Sequence, residues 1–204
     1  MFKVKETRKT KQLELVNESG EVVQKACKTC QQVKLIEDFP KYTQGGFRPS
    51  CKPCYKKIQD EYNKSIKDKR RAYKQVQRAR AVGAPDAYSE EDWKALKKHA
   101  QGKCMISGKE AELQAEHVQA LSKKWLGSSK GNIILVSEEV NQAKRDMSLF
   151  EFLQSPRSNG LVDFDRLKDT LEYLAEANGM SLSRYLQFLQ DAEELAQKNK
   201  EFWG

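Results

Sequence analysis

Four of the five cysteines stand as two pairs, Cys27-x-x-Cys30 and Cys51-x-x-Cys54, separated by twenty residues that include Pro40, Gly45-Gly46 and Pro49. This spacing constrains the local fold more than any other feature, because two tight turns offering two thiols each can close on one tetrahedral metal ion. Disulfides are the alternative use of four thiols. The start, Met1-Phe2-Lys3-Val4-Lys5, runs straight into polar residues with no apolar segment of the kind a secretory signal carries. A soluble, cytoplasmic protein in a reducing compartment is therefore expected, and there the spacing favours zinc over disulfides. Four thiolates leave zinc no open position, so the expected ion is structural.

Charge divides the chain. Residues 1–82 hold 21 basic and 9 acidic side chains, whereas residues 83–204 hold 16 and 20, within a total of +8. The stretch from Tyr55 to Ala81 has no Pro or Gly and carries ten Lys/Arg against three Asp/Glu, which predicts one basic helix about 40 Å long. Lys64, Lys67, Arg70, Arg71, Lys74 and Arg78 on such a helix would track a phosphate backbone. A solvated linker helix is the plainer reading of the same charges. These charges suit a nucleic-acid backbone. No apolar run approaches the length of a membrane span, so none is expected.

The chemistry-bearing residues lie between Glu116 and Glu151. Glu116-His117 stands before an apolar, strand-like stretch, Asn132 heads Ile133-Ile134-Leu135-Val136, and Asn141 and Lys144 follow at helical spacing. Cutting a phosphodiester needs an activated water, and a cation on the phosphoryl oxygens. A histidine with an ordinary pKa keeps a useful neutral fraction near neutrality and can take the water's proton. A carboxylate and an amide oxygen, as on Glu116 and Asn141, suit magnesium or manganese. Adjacent strand residues point to opposite faces, so a bend is needed for Glu116 and His117 to serve one site.

These residues, together with Gly102-Lys103-Cys104-Met105-Ile106-Ser107-Gly108, Leu121-Ser122-Lys123, Gly131-Asn132-Ile133-Ile134-Leu135 and Val140-Asn141-Gln142-Ala143-Lys144, resemble the HNH (ββα-metal) endonuclease domain over about residues 89–154. The resemblance implies His117 as general base and Asn132 as the loop tether that orients it. It implies Glu116 and Asn141 as holders of one catalytic Mg2+ or Mn2+, Lys144 as a basic residue near the phosphate, and double-stranded DNA as the partner. Asn141 stands where the signature's last residue is often His. Around the thiols, Lys34-Leu35-Ile36-Glu37-Asp38-Phe39 and Gly46-Phe47-Arg48-Pro49-Ser50-Cys51 resemble the small zinc module of recombination endonuclease VII-like and other phage nucleases. Many HNH domains carry two further Cys-x-x-Cys pairs. Here Cys104 pairs in spacing with Ser107, and Ser137 with Val140, so packing must hold the domain. Ile106, Val118, Ile133, Leu135, Val140, Leu149 and Phe152 are the candidate core.

The whole reads as an α+β protein: a polar basic segment over residues 1–26, a four-cysteine zinc module over 27–57, basic helix and linker over 58–88, the ββα-metal nuclease core over 89–154, and a C-terminal helical pair over 155–204. Gln12 to Gln24 suggests a short hairpin around Glu18-Ser19-Gly20, preceded by a frayed end. A helix from Glu90 to Ala100 opens at a Ser89-x-x-Asp92 cap and would leave His99 on a solvated face. Helices over about Phe164 to Ala177 and Ser183 to Lys198 each carry a leucine face, which would pack on the nuclease core or, second, form a homodimer, with Phe202 and Trp203 available to either. The leading functional expectation is a metal-dependent DNA endonuclease of homing or phage type that nicks or cuts duplex. Its alternatives are a branched-DNA (Holliday-junction) resolvase and a zinc-dependent DNA-binding protein without catalysis.

Overall fold

Short segments of alternating or β-branched residues, separated by turn residues, begin the chain. β1 (Lys3–Glu6), β2 (Leu13–Val16), β3 (Val22–Ala26) and β4 (Val33–Leu35) pair in sequence order as an antiparallel meander. The β2–β3 turn closes through Asn17, whose side-chain oxygen accepts from the Glu21 amide, with Gly20 at φ +83°. That hairpin is the one expected. The frayed end is not: Lys3–Glu6 pairs with Leu13–Val16 residue for residue. A buried Lys25 meets Glu14 across the sheet at 3.2 Å. After β4 the chain forms an isolated bridge, Lys41 to Phe47, and enters α1 (Lys52–Ser65), with Cys51 at its N-cap and Pro53 in its first turn. Only Cys27, Phe39 and Cys51 are buried in this core, with Ile36, Phe47 and Cys54 against them.

The computed structural model describes the backbone of residues 1–203 and side chains as far as Asn199. The side chains of Phe202 and Trp203 lie outside the described residues. The chain divides into two compact units, Met1–Ile66 and Lys67–Gly204. The boundary corrects the expectation of one long basic helix. α1 ends at Ser65, Ile66 takes φ −105° and ψ 6°, and α2 (Lys67–Ala81) belongs to the second unit. α2 is drawn there by its own apolar face, since Ala72, Val76 and Ala79 are buried. Asp68 also accepts from Trp93 Nε1 at 3.1 Å and from Lys97 Nζ.

In the second unit α2 is followed by α3 (Glu90–Ala100), whose Ser89–Asp92 capping box is complete. Next come β5 (Leu113–His117) and β6 (Ile133–Ser137), paired antiparallel, then α4 (Glu138–Lys144), α5 (Leu149–Gln154), α6 (Phe164–Ala177) and α7 (Leu182–Trp203). All seven residues expected in the core are buried, and every residue of β6 is buried. The C-terminal helices pack on this core in cis. Thr170 donates to Met105 O at 2.6 Å, buried Tyr185 donates to Gly131 O at 2.7 Å, and Leu167, Leu174 and Leu189 join the cluster. A Cβ at Gly131 would lie 1.8 Å from Asn178 Nδ2 at the end of α6, so any larger residue there must displace that side chain. His99 is not on a solvated face. Its ring stacks on Tyr173 at 4.1 Å between centroids, with Nε2 3.3 Å from the Asp169 carboxylate. Among the described residues no helix is long and apolar enough to cross a membrane.

Candidate functional site

The first candidate site is the cysteine cluster. Cys27 and Cys30 sit in the β3–β4 turn, and Cys51 and Cys54 in the first turn of α1. Four hydrogen bonds stitch these turns together: Gln12 Nε2 donates to Ala26 O and Pro49 O, the Lys28 amide to Pro49 O, and Thr29 and Ser50 share a hydroxyl bond at 2.8 Å. All four Sγ atoms lie within 4.8 Å of one another, and all four cysteines are free of disulfides. Tetrahedral zinc at its usual bond length places thiolates about 3.8 Å apart, so the cluster fits a structural ion of that kind. Electrostatics point the same way. Burial pushes the Cys27 thiol up, but the amides of Cys30, Cys51 and Thr29 outweigh this and bring it down to about 6. Cys54 is pushed up to about 12 by hydrogen bonding to Cys51 and by the thiols around it. Thiols this close keep a proton among them unless a cation takes its place.

The second candidate site is the β5–β6 hairpin with α4. Ser137 ends β6 and caps α4 through the Val140 amide, so the helix starts directly from the strand and runs back along β5. Alternation puts Gln114 and Glu116 on the same side of β5, and α4 answers each of them. Asn141 Nδ2 donates to Gln114 Oε1 at 2.6 Å; one turn later, Lys144 Nζ donates to Glu116 Oε1 at 2.7 Å and to Met147 O at 2.6 Å. Lys144 is fully buried, and Glu116 is 8% exposed. Burial lowers the Lys144 pKa, and Glu116 works against that shift.

Glu116 and Asn141 therefore have separate partners. Their oxygens are of the hard type magnesium takes, but the arrangement does not fit a divalent cation, because an ammonium group already holds the carboxylate. No bend turns Glu116 and His117 to one side, since both stay in register, opposite Ile134 and Ile133.

His117 is 2% exposed, and its Nε2 lies 3.1 Å from Ser128 Oγ. Ser128 spends its hydroxyl proton on Gln75 O in α2, at 2.8 Å. Nε2 must then be the donor to Ser128, which leaves Nδ1 as the ring's proton acceptor. Burial, and then the positive charges of Arg78 and Lys144, bring the ring down to about 3. It is neutral at any ordinary pH. Asn132 is completely buried and closes the loop between the strands: its oxygen accepts from the Gln119 amide at 2.7 Å, and its Nδ2 donates to Gln119 O and Gly127 O. It makes no side-chain bond to His117; its backbone oxygen instead takes the Val118 amide.

Sequence reasoning missed the groups that brace this loop. Lys123 bridges Glu151 of α5 and Glu193 of α7. A cleft lined in part by Lys124, Trp125, Asp146 and Met147 opens beside it, sharing Met147 with Lys144. The pairs are separated by 28 and 70 residues, and no local pattern announces them.

Of the basic residues singled out, Lys64 is exposed on α1. On α2, Lys67, Arg70, Lys74 and Arg78 are exposed at spacings that give one stripe, opposite the buried Ala72–Val76–Ala79 face. Arg71 is half-buried beside that stripe, with its guanidinium over the Trp93 ring at 5.6 Å. No protein-family model and no curated protein matches the chain.

Proposed function

We propose that the chain is a DNA endonuclease of the ββα type, in which a structural zinc module and basic helices hold duplex DNA and the β5–β6–α4 unit cuts it. The observation that carries this reading is Asn132, whose side chain makes three bonds that pin the loop directly after Glu116-His117. Such a loop fixes the end of β5 within the small tolerance that catalysis demands. His117 supports the reading as well. Its ring is held through Nε2 and keeps Nδ1 as an acceptor, but burial and a pKa brought down to about 3 make it a weak base as it stands, so the reading requires that substrate binding open Nδ1 to water and raise its basicity. Arg78 and Lys144 place positive charge around that ring, favourable to a phosphate. By resemblance, Glu116 and Asn141 would hold magnesium or manganese, which the arrangement of their present partners does not fit. The reading then requires that Lys144 release Glu116.

The buried Lys144–Glu116 pair favours a second reading, a zinc-dependent DNA-binding protein without catalysis. Supercoiled plasmid incubated with magnesium or manganese, beside His117→Ala and a chelator control, separates the two. Nicked or linear product from the wild type alone supports the endonuclease. Binding of plasmid and of four-way junctions without cleavage of either, in both metals, refutes it and leaves the binding protein.

A further inference from the structure

Residues 27–66 contain eight Lys/Arg against four Asp/Glu, and among the described residues none of the eight enters an ion pair. Seven are lysines. The eighth, Arg48, is fixed in place by a different means. Its guanidinium lies 4.6 Å from the ring centroids of both Tyr42 and Tyr55. Tyr42 and Arg48 belong to the turn around the Lys41–Phe47 bridge, and Tyr55 stands one turn into α1. The Arg48 amide donates to Pro40 O at 2.8 Å, and the Tyr42 amide to Gly46 O. Backbone and rings together therefore hold the side chain between the Lys41–Phe47 turn and the start of α1. Lys41 repeats the device beside it, with its ammonium 5.5 Å from the Phe47 ring.

Aromatic faces attract a guanidinium plane, yet they leave its N–H groups in that plane unspent. Arg166 in the second unit shows the contrasting, structural use of an arginine: it donates to Ala100 O, Cys104 O and the Asp169 carboxylate. The Arg48 guanidinium donates to no described side chain or carbonyl. It stands beside a 43% exposed Tyr42 and an exposed Lys41. A fork of donors pre-positioned in this way fits two oxygens of one tetrahedral or planar anion.

We propose that Arg48, held by Tyr42 and Tyr55, is a phosphate-binding residue of the cysteine-cluster module, taking two oxygens of one backbone phosphate of duplex DNA, with Lys41 adding to the attraction. The proposal rests on the nucleic-acid reading above and not on cleavage. It assigns the module a point of contact, where charge alone gives only a diffuse pull.

The test is fluorescence anisotropy with short labelled duplexes of two unrelated sequences, across a salt series and without added magnesium or manganese. The wild type, Arg48→Ala and Arg48→Lys are compared, with zinc content by native mass spectrometry. Arg48→Ala should weaken both duplexes by the same factor, roughly ten- to hundredfold, and flatten the dependence of log affinity on log salt by about one unit. Arg48→Lys should restore the salt slope but not the full affinity, since an ammonium cannot bind as a fork. Unchanged affinity in an Arg48→Ala protein with full zinc overturns the proposal, and so does a loss confined to one sequence, which would make Arg48 a base reader. If Arg48→Ala loses zinc, Arg48→Lys decides, and wild-type affinity and salt slope there overturn the assignment. Failure of the wild type to bind any duplex is a different outcome, because it removes the nucleic-acid reading itself.

Discussion

Acidification from about pH 8 to about pH 5.5 should destabilise the Lys67–Gly204 unit by about 1.4 kcal/mol through His117 alone. In the unfolded chain a histidine takes up its proton near pH 6.5, whereas the folded protein holds His117 down to about 3, through burial first and the Arg78 and Lys144 charges second. Between these values the unfolded state binds more protons. Stability from this group is therefore complete above the unfolded pKa and is lost as pH falls toward the folded one. The ceiling is about 4.8 kcal/mol, from roughly 3.5 units at about 1.36 kcal/mol each. Carboxylates begin to titrate before that ceiling is reached, so the upper part of the window is the clean one. The figure of about 1.4 kcal/mol hardly changes for any folded pKa below about 4.5.

The chain has two histidines, and His99 is also lowered by burial, against an attraction from Asp169, so it adds a loss of the same sign. Urea unfolding at both pH values of the wild type, His117→Gln and His99→Gln separates them, since glutamine stays neutral and can still donate to Ser128. Wild type should lose about 1.4 kcal/mol more than His117→Gln on acidification. Equal pH dependence of the two would refute the claim that His117 is buried and unprotonated. If His117 is the base of a cleavage reaction, the same depression removes any fall in rate near pH 6.5.

Asn132→Ala should cost about 3 kcal/mol in urea denaturation, because three bonds are lost and the buried Gln119 amide is left without its acceptor. A loss below about 1 kcal/mol would mean the loop is held by other contacts. If the four thiols hold an ion, a strong chelator should abolish amide-exchange protection around Cys27–Cys54, where the apolar core has only three buried residues, and leave protection of β6 intact. Unchanged protection around the thiols would show that the turns hold themselves together without an ion.

What could be read from the sequence was whatever local chemistry determines. The Ser89–Asp92 capping box fixes the start of α3, turn residues around Gly20 fix the first hairpin, and the period of apolar residues marks α6 to the residue. The thiol spacing marks the cysteine cluster before any coordinate does. Ile66 shows the limit. Helical propensity runs through it without a Pro or Gly, and the break follows from where the second half is buried: Ala72, Val76 and Ala79 need a core, and Asp68 needs Trp93 and Lys97. Those partners lie outside any helical window.

The site follows the same logic with more at stake. Strand alternation alone says that Glu116 and His117 face opposite ways, and each side then acquires its own chemistry from distant segments. Glu116 meets Lys144 and becomes half of a buried ion pair; His117 meets Ser128 and through it the backbone of α2. Breaking such a pair by removing one member is expensive, because the other charge remains buried, at roughly 3 to 5 kcal/mol. The Lys144–Glu116 bond is thus costly to break one partner at a time. It either holds the hairpin to α4 permanently or is exchanged for charges of comparable strength when a polyanion and its counter-ions arrive. The geometry that makes Lys144 an obstacle to a cation also makes it the residue whose replacement discriminates. Lys144→Met removes the ammonium and keeps the volume, so it should strengthen manganese binding at Glu116 if that carboxylate serves a cation. If Glu116 is purely structural, the same replacement should only destabilise the fold, with no gain in metal affinity by calorimetry.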